Sequence, residues 1–238
     1  MGVAGSGAAG GGRPLSGGRV ASRGGLRKGG GGDALSGAAL AAVDDRLSAH
    51  GRNLIPGRAA LPAAEMVDLF EKMATEVAAT VRRVATPDDV PDAVADFLAG
   101  LNLPSAVKAA PDPRLDDIPW SKRPTLTVTR GAAADADLTA VTAATAAIAE
   151  TGTLMLASSA AAPTTLNFLP DNHIVVLRAG QVTGTYEDGW DLVRAAGALP
   201  RTVNFVTGPS RTGDIEQKIQ LGAHGPRRLH IILVEDGA

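Results

Sequence analysis

Three segments in the C-terminal half of the chain carry side chains able to do chemistry. The first is Glu150-Thr151-Gly152-Thr153, at the entry to the apolar run Leu154-Met155-Leu156. A carboxylate at such a boundary can serve as general base or nucleophile. It can equally accept backbone amides within a turn. Gly152 permits close backbone approach or a positive φ, and Thr151 and Thr153 add hydroxyls. The second segment runs from Gly208 to Glu216, with Ser210, Arg211, Thr212 and Asp214 inside it. It follows an expected strand at Val203–Thr207 and leads into an expected helix at Asp214–Leu221. Amides at that helix start can hold an anion, and Arg211 can add a charged fork. Asp214 and Glu216 oppose an anion there, and a well-capped turn is the alternative reading. The segment is not a Walker loop, because it lacks Gly-Lys-Ser/Thr. The third segment, Gly222 to Arg228, sets His224 between small residues in a loop. A histidine so placed has little packing purpose, so His224 and Glu150 are the catalytic candidates. His173 opens an expected strand and is a candidate ligand contact. His230 sits inside an apolar strand and reads as structural. No histidine pair has helical ligand spacing, so no metal site is expected.

These residues need a scaffold. Pro62 suits the first position of a helix. Met66, Leu69, Phe70, Met73 and Val77 then recur at helical spacing as a core-facing stripe. Val81 and Val84 suggest a short strand. Thr86-Pro87-Asp88-Asp89 opens a further helix with Val90, Val94, Phe97 and Leu98 on one face, and Gly100 ends it. An earlier helix is expected from Ala34 to about Ala49, with Asp33 as N-cap. Further strands are expected at Ser105–Ala109, Thr125–Thr129, Asp137–Thr142, Gly152–Ser158, His173–Arg178 and Leu229–Glu235, and another helix at Tyr186–Ala196. The stretch Ala132–Ala149 suits either state. Continuous runs such as Ile174-Val175-Val176-Leu177 and Ile231-Ile232-Leu233-Val234 are typical of strands covered on both faces. Strand–helix alternation then implies an α/β fold of three layers around a largely parallel sheet. In such sheets ligands bind beyond the carboxyl ends of the strands.

Composition narrows the function. Residues 1–32 hold 14 of the 29 glycines and five basic residues without an acid, and read as a disordered tail. The remaining residues, 33–238, carry 18 basic against 25 acidic side chains, a formal charge of −7. They are expected to form one domain. An acidic body repels phosphate backbones, and seven aromatics leave few stacking platforms. A nucleic-acid partner is therefore not expected. No apolar run approaches the ~18 residues of a membrane span, and a cytoplasmic location is expected. With no cysteine the chain offers no thiolate nucleophile and no thiolate-ligated cluster. It also lacks the Gly-x-Gly-x-x-Gly fingerprint of a dinucleotide site, so no cofactor is expected.

Four motifs in order resemble the LUD-domain family, whose type member is lactate utilization protein C. They are Ala149-Glu150-Thr151-Gly152-Thr153, Leu169-Pro170-Asp171-Asn172-His173-Ile174, the segment Gly208–Glu216, and Gly222-Ala223-His224-Gly225-Pro226-Arg227. Where the family usually carries Gly-Arg before the Leu-Pro motif, this chain reads Ala162-Pro163-Thr164-Thr165. The resemblance implies a fold like glucosamine-6-phosphate deaminase, ribose-5-phosphate isomerase and CoA transferase. It also implies a part, as subunit or accessory factor, in oxidising L-lactate to pyruvate beside iron–sulfur partner proteins. The absent cysteines would put any thiolate-ligated cluster in those partners. The alternative is an enzyme or binding protein acting alone on a small anionic metabolite, a CoA ester or a sugar phosphate. Assembly as a homo-oligomer is compatible with either.

Overall fold

The computed structural model describes residues 37–52, 54–215, 218–221 and 224–235, with only the backbone described for 212–221. The expected tail over 1–32, the N-cap Asp33 and the candidate Glu216 lie outside the described residues. The chain divides into two units, residues 1–51 and 52–238. In the first, α1 (Gly37–Ala49) is a single helix with Leu40, Val43 and Leu47 exposed.

The second unit is built on six parallel strands. They are β1 (Thr80–Val84), β2 (Ala106–Ala109), β3 (Thr127–Arg130), β4 (Thr139–Ala143), β7 (Asn172–Arg178) and β12 (Arg228–Val234). Their order across the sheet is β1-β12-β7-β4-β2-β3. The two continuous apolar runs form the central pair, in register from Arg228 opposite Asn172 to Val234 opposite Arg178. Their side chains alternate between two cores. Ile174, Val176, Ile232 and Val234 enter one, and Val175, Leu177, Ile231 and Leu233 the other. Burying each such side chain contributes roughly 1.5–3 kcal/mol, so this pair is held from both faces.

One face is covered by α3 (Val90–Gly100) and the four-residue α4 (Thr165–Phe168). The Thr86 and Asp89 side chains form a reciprocal capping box just ahead of α3. After Gly100, Leu101 caps the helix and Asn102 takes the left-handed turn at φ 52°. The other face is covered by α2 (Ala63–Glu76) and a second sheet. Pro62 is the residue before α2 rather than its first turn. The buried side of α2 is Val67, Phe70 and Ala74, with Met66 and Leu69 partly buried beside them. That side is rotated from the expected stripe, because small Ala74 lies against the turn containing Gly152.

The second sheet contains β5 (Ala146–Ile148), β6 (Thr153–Ala157), β8 (Val182–Thr183) and β9 (Val203–Val206), in the order β8-β5-β6-β9. Here β6 is antiparallel to both β5 and β9. Thus the ambiguous Ala/Thr stretch resolves into β4 and β5, and two expected strands belong to this smaller sheet. Its outer face carries α5 (Tyr186–Ala195) through Ile148, Met155 and Val193.

The expected helix over Asp214–Leu221 is absent. The segment instead forms β10 (Arg211–Ile215) and β11 (Lys218–Leu221), an antiparallel pair with Arg211 opposite Leu221 and Ile215 opposite Lys218. Lys218-Ile219-Gln220-Leu221 alternates polar and apolar residues with period two. That period and the β-branched isoleucines suit a strand, while Gly213 weakens a helix.

Candidate functional site

The helix correction removes the expected anion site, since no helix starts at Asp214 to present free amides. Arg211 is exposed at the start of β10, and Thr212 and Asp214 follow it along the strand.

Four candidates do converge. His173, Gly208, Ser210 and His224 line one cleft of about 210 Å³, together with Thr207 and Phe168. Chain geometry explains the meeting. His173 and Leu229 are paired residues near the amino ends of β7 and β12. Ser210 donates its amide to the Pro226 carbonyl at 2.8 Å, and Arg227 donates its amide to the Asp171 carbonyl at 2.8 Å. These bonds draw the segments after β9 and before β12 against the start of β7. Gly208 has φ 79°, and a Cβ there would lie 2.3 Å from the Val77 carbonyl oxygen. Only glycine lets this segment pass so close to the end of α2.

Within the cleft the two histidines differ. His224 is exposed, whereas His173 is fully buried. Burial lowers His173 to a pKa of about 3, so its ring is neutral near pH 7. Its Nε2 lies 2.8 Å from Thr142 Oγ1. Its Nδ1 is buried without a partner. A neutral imidazole offers one donor and one acceptor, and leaving one unmatched costs about 1–3 kcal/mol. A polar ligand atom reaching that nitrogen would recover the cost.

Glu150, Thr151, Gly152 and Thr153 are not in the cleft lining; they form the turn between β5 and β6. Gly152 has φ 64°, and a Cβ there would fall 2.3 Å from the Ala74 amide nitrogen. Its backbone approach is to α2. Thr153 is fully buried, with Oγ1 2.7 Å from Thr151 Oγ1 and 2.7 Å from Thr207 Oγ1. Tyr186 Oη lies within 3.1 Å of both Thr151 and Thr153. A chain of hydroxyls therefore connects the Glu150 turn to the cleft wall at Thr207. The Glu150 amide donates to the Gly184 carbonyl at 3.3 Å. Among the described residues its carboxylate has no hydrogen-bond or ion-pair partner.

The cleft opens at the amino ends of the central strands, opposite to the expected carboxyl ends. At the carboxyl side, the connections run in opposite directions across the sheet from the parallel neighbours β2 and β4, where a ligand crevice is the usual outcome. A cavity of about 270 Å³ lies there, lined by Arg114, Asp117, Arg178 and Gln181. Its polar groups already engage one another. Arg114 donates to both Asp112 carboxylate oxygens and, at 2.7 Å, to the Ala144 carbonyl. Gln181 donates to the same carbonyl, and Arg178 pairs with Asp117 at 2.5 Å. Burial pushes the Asp112 carboxyl up, but the hydrogen bonds and charge of Arg114 outweigh it and hold the group below its ordinary range. Neither Asp112 nor Arg114 was singled out from the sequence, so this pair was missed. The one available signal was Asp112-Pro113-Arg114 directly after a strand. Asn167 and Phe168, also at the cleft, were missed as the short helix before Leu169-Pro170. Among the described residues no cluster of acids and histidines could hold a metal. No described helix is long and apolar enough to cross a membrane.

Comparison with known proteins agrees with this architecture. A lactate utilization protein C of Deinococcus radiodurans is 33% identical over 183 residues, covering 75% of this chain and 84% of that relative. A lactate utilization protein C of Bacillus subtilis is 33% identical over 93 residues, covering 37% of this chain and 39% of the relative. The crystal structure of a DUF162 family protein from Deinococcus radiodurans superposes with a TM-score of 0.55 and 27% identity, covering 74% of this chain and 99% of that one. The LUD domain model matches residues 67–234, a span holding every strand from β1 to β12 and both sides of the cleft, and the chain belongs to the LUD domain family.

Proposed function

We propose that the chain serves lactate utilization as a non-redox subunit or accessory factor, with iron–sulfur partner proteins carrying out the oxidation of L-lactate to pyruvate. Its cleft holds a small anionic metabolite of that system. The observation that carries the reading is the meeting of Ser210 and His224 with buried His173, whose Nδ1 lacks a partner. The names of the two relatives supply the process. The absence of cysteine assigns any thiolate-ligated cluster to other chains. The cleft volume of about 210 Å³ is below the ~300–1,000 Å³ of sites for drug-sized ligands. A hydroxy or keto acid fits better than a CoA ester. Thermal denaturation with L-lactate and with pyruvate tests the cleft. A ligand at ~100 times its Kd stabilises by about 2.7 kcal/mol, and Ser210→Ala with His224→Ala removes that gain. Reconstitution tests the process. If the purified iron–sulfur partners oxidise lactate at full rate and stability without this chain, the reading fails.

A second reading, an enzyme acting alone, is favoured by the unpartnered Glu150 carboxylate and by the hydroxyl chain joining its turn to Thr207. It requires Glu150→Gln to abolish turnover while the fold persists, and an unchanged rate removes Glu150 from any mechanism.

A further inference from the structure

A further cavity lies across β12 from the metabolite cleft. It encloses about 500 Å³ between β1, β12 and the end of α3. Three arginines line it, Arg82, Arg227 and Arg228, against one carboxylate, Asp96. Arg82 pairs with Asp96 at 2.8 Å, and Arg227 lies 3.5 Å from Asp171. Arg228 is different. It donates to the neutral Asn172 Oδ1 at 3.1 Å and has no ion-pair partner among the described residues. A net positive cavity on an acidic body attracts a small anion.

Its apolar part has a specific form. The His230 and Phe97 rings stack at 4.4 Å with planes 13° apart, beside Leu101 and Leu229. His230 is 6% exposed, with Nδ1 2.7 Å from Thr80 Oγ1. Its Nε2 is buried without a partner. That orphan is a second sign of a ligand, independent of the arginines, because a buried ring nitrogen normally finds a hydrogen bond.

We infer that this cavity binds a nucleoside monophosphate, with its phosphate on Arg228 and Arg82 and its ring beside the Phe97–His230 stack. The volume falls within the range of organic ligand sites. Guanidinium forks suit phosphate oxygens, and a heterocyclic ring supplies the polar edge that His230 Nε2 lacks. The inference does not rest on the lactate reading, because the lining shares only Leu229 with the cleft.

The full chain is titrated with AMP, inorganic phosphate and adenosine at low ionic strength. Binding is followed by calorimetry and by the ring ¹⁵N resonances of the four histidines. AMP is expected to move His230 and leave His173 and His224 in place. Arg228→Gln is expected to weaken AMP by about tenfold or more, and Ser210→Ala to leave its affinity unchanged. Leu101 is 37% exposed, so Leu101→Trp fills the cavity in a folded chain and should abolish binding even if Arg228→Gln fails to fold. The inference is overturned if AMP does not bind, if it moves His224 instead of His230, or if phosphate alone binds as tightly as AMP. A lactate thermal shift that survives Leu101→Trp, or fails in the parent chain, reports on the metabolite cleft separately.

Discussion

Thr153 Oγ1 lies 2.7 Å from Thr207 Oγ1, joining the turn after β5 to the wall of the cleft. Both Thr151 and Tyr186 also bond to Thr153. Thr153→Val keeps the shape and removes the hydroxyl that three others depend on. We expect a loss of about 1–3 kcal/mol in urea denaturation, since unsatisfied hydroxyls stay behind. Tyr186→Phe should cost less. Equal stability of Thr153→Val and the parent would show that the hydroxyl chain contributes nothing.

Gly152→Ala tests the contact with α2. The added Cβ meets backbone atoms of Met73 and Ala74 at 2.3–2.7 Å, and the residue stays at φ 64°. Backbone cannot yield as a flexible side chain would. Overpacking and an unfavourable φ together should cost at least about 2 kcal/mol. A melting temperature within a degree of the parent's would contradict the packing assigned to this glycine.

Acid should weaken the fold before its carboxylates titrate. Burial lowers His173 to a pKa of about 3. Burial first, then the charge of Arg82, lowers His230 to about 4. Above the ordinary value near 6.5 both folded and unfolded rings are neutral, so no penalty exists. Below it the unfolded chain takes up protons that the folded chain refuses, and stability falls with pH until about 3–4. At pH 5.5, one unit below the ordinary value, each ring accounts for about 1.4 kcal/mol. Urea midpoints at pH 7.5 and 5.5 check this, and His173→Leu should flatten the difference by roughly half. Identical slopes in parent and variant would refute it.

Arg114→Met leaves the buried Asp112 carboxylate without its guanidinium. The folded Asp112 titrates below its ordinary value because of Arg114. Its contribution is therefore present above about pH 4 and lost as pH falls further. The variant should lose about 1.5–3 kcal/mol at pH 7. The deficit should shrink as pH falls toward 4 and below, because burial without Arg114 favours the neutral acid. A deficit that does not change with pH would point to lost packing instead.

Much of the scaffold was readable because its signals are local or strongly periodic. The runs Ile174–Leu177 and Ile231–Val234 read as strands buried on both faces, and they form the central pair of the sheet. The stripe around Phe70 marked α2, although alanines blurred which side faces inward. Alanine lacks the bulk that reveals burial, so Ala132–Ala149 was undecidable until β4 and β5 were seen to sit in different sheets. The helix expected at Asp214–Leu221 failed because a short stretch with isoleucines four apart fits two periods at once.

The site divides along the same line. Residue types alone singled out His173, Gly208, Ser210 and His224, and the missing cysteines alone removed thiolate chemistry from this chain. Which of those candidates meet was a long-range question. Strand order β12-β7 and the amide bonds from Ser210 to Pro226 and Arg227 to Asp171 bring four of them to the amino ends of the sheet. The Glu150 turn is held elsewhere, against α2, because Gly152 admits the Ala74 backbone. Spacing along a chain encodes period and turn chemistry, both functions of near neighbours. Proximity between residues 173, 210 and 224 arises only when strands far apart in sequence pair, so the tertiary structure alone decided it.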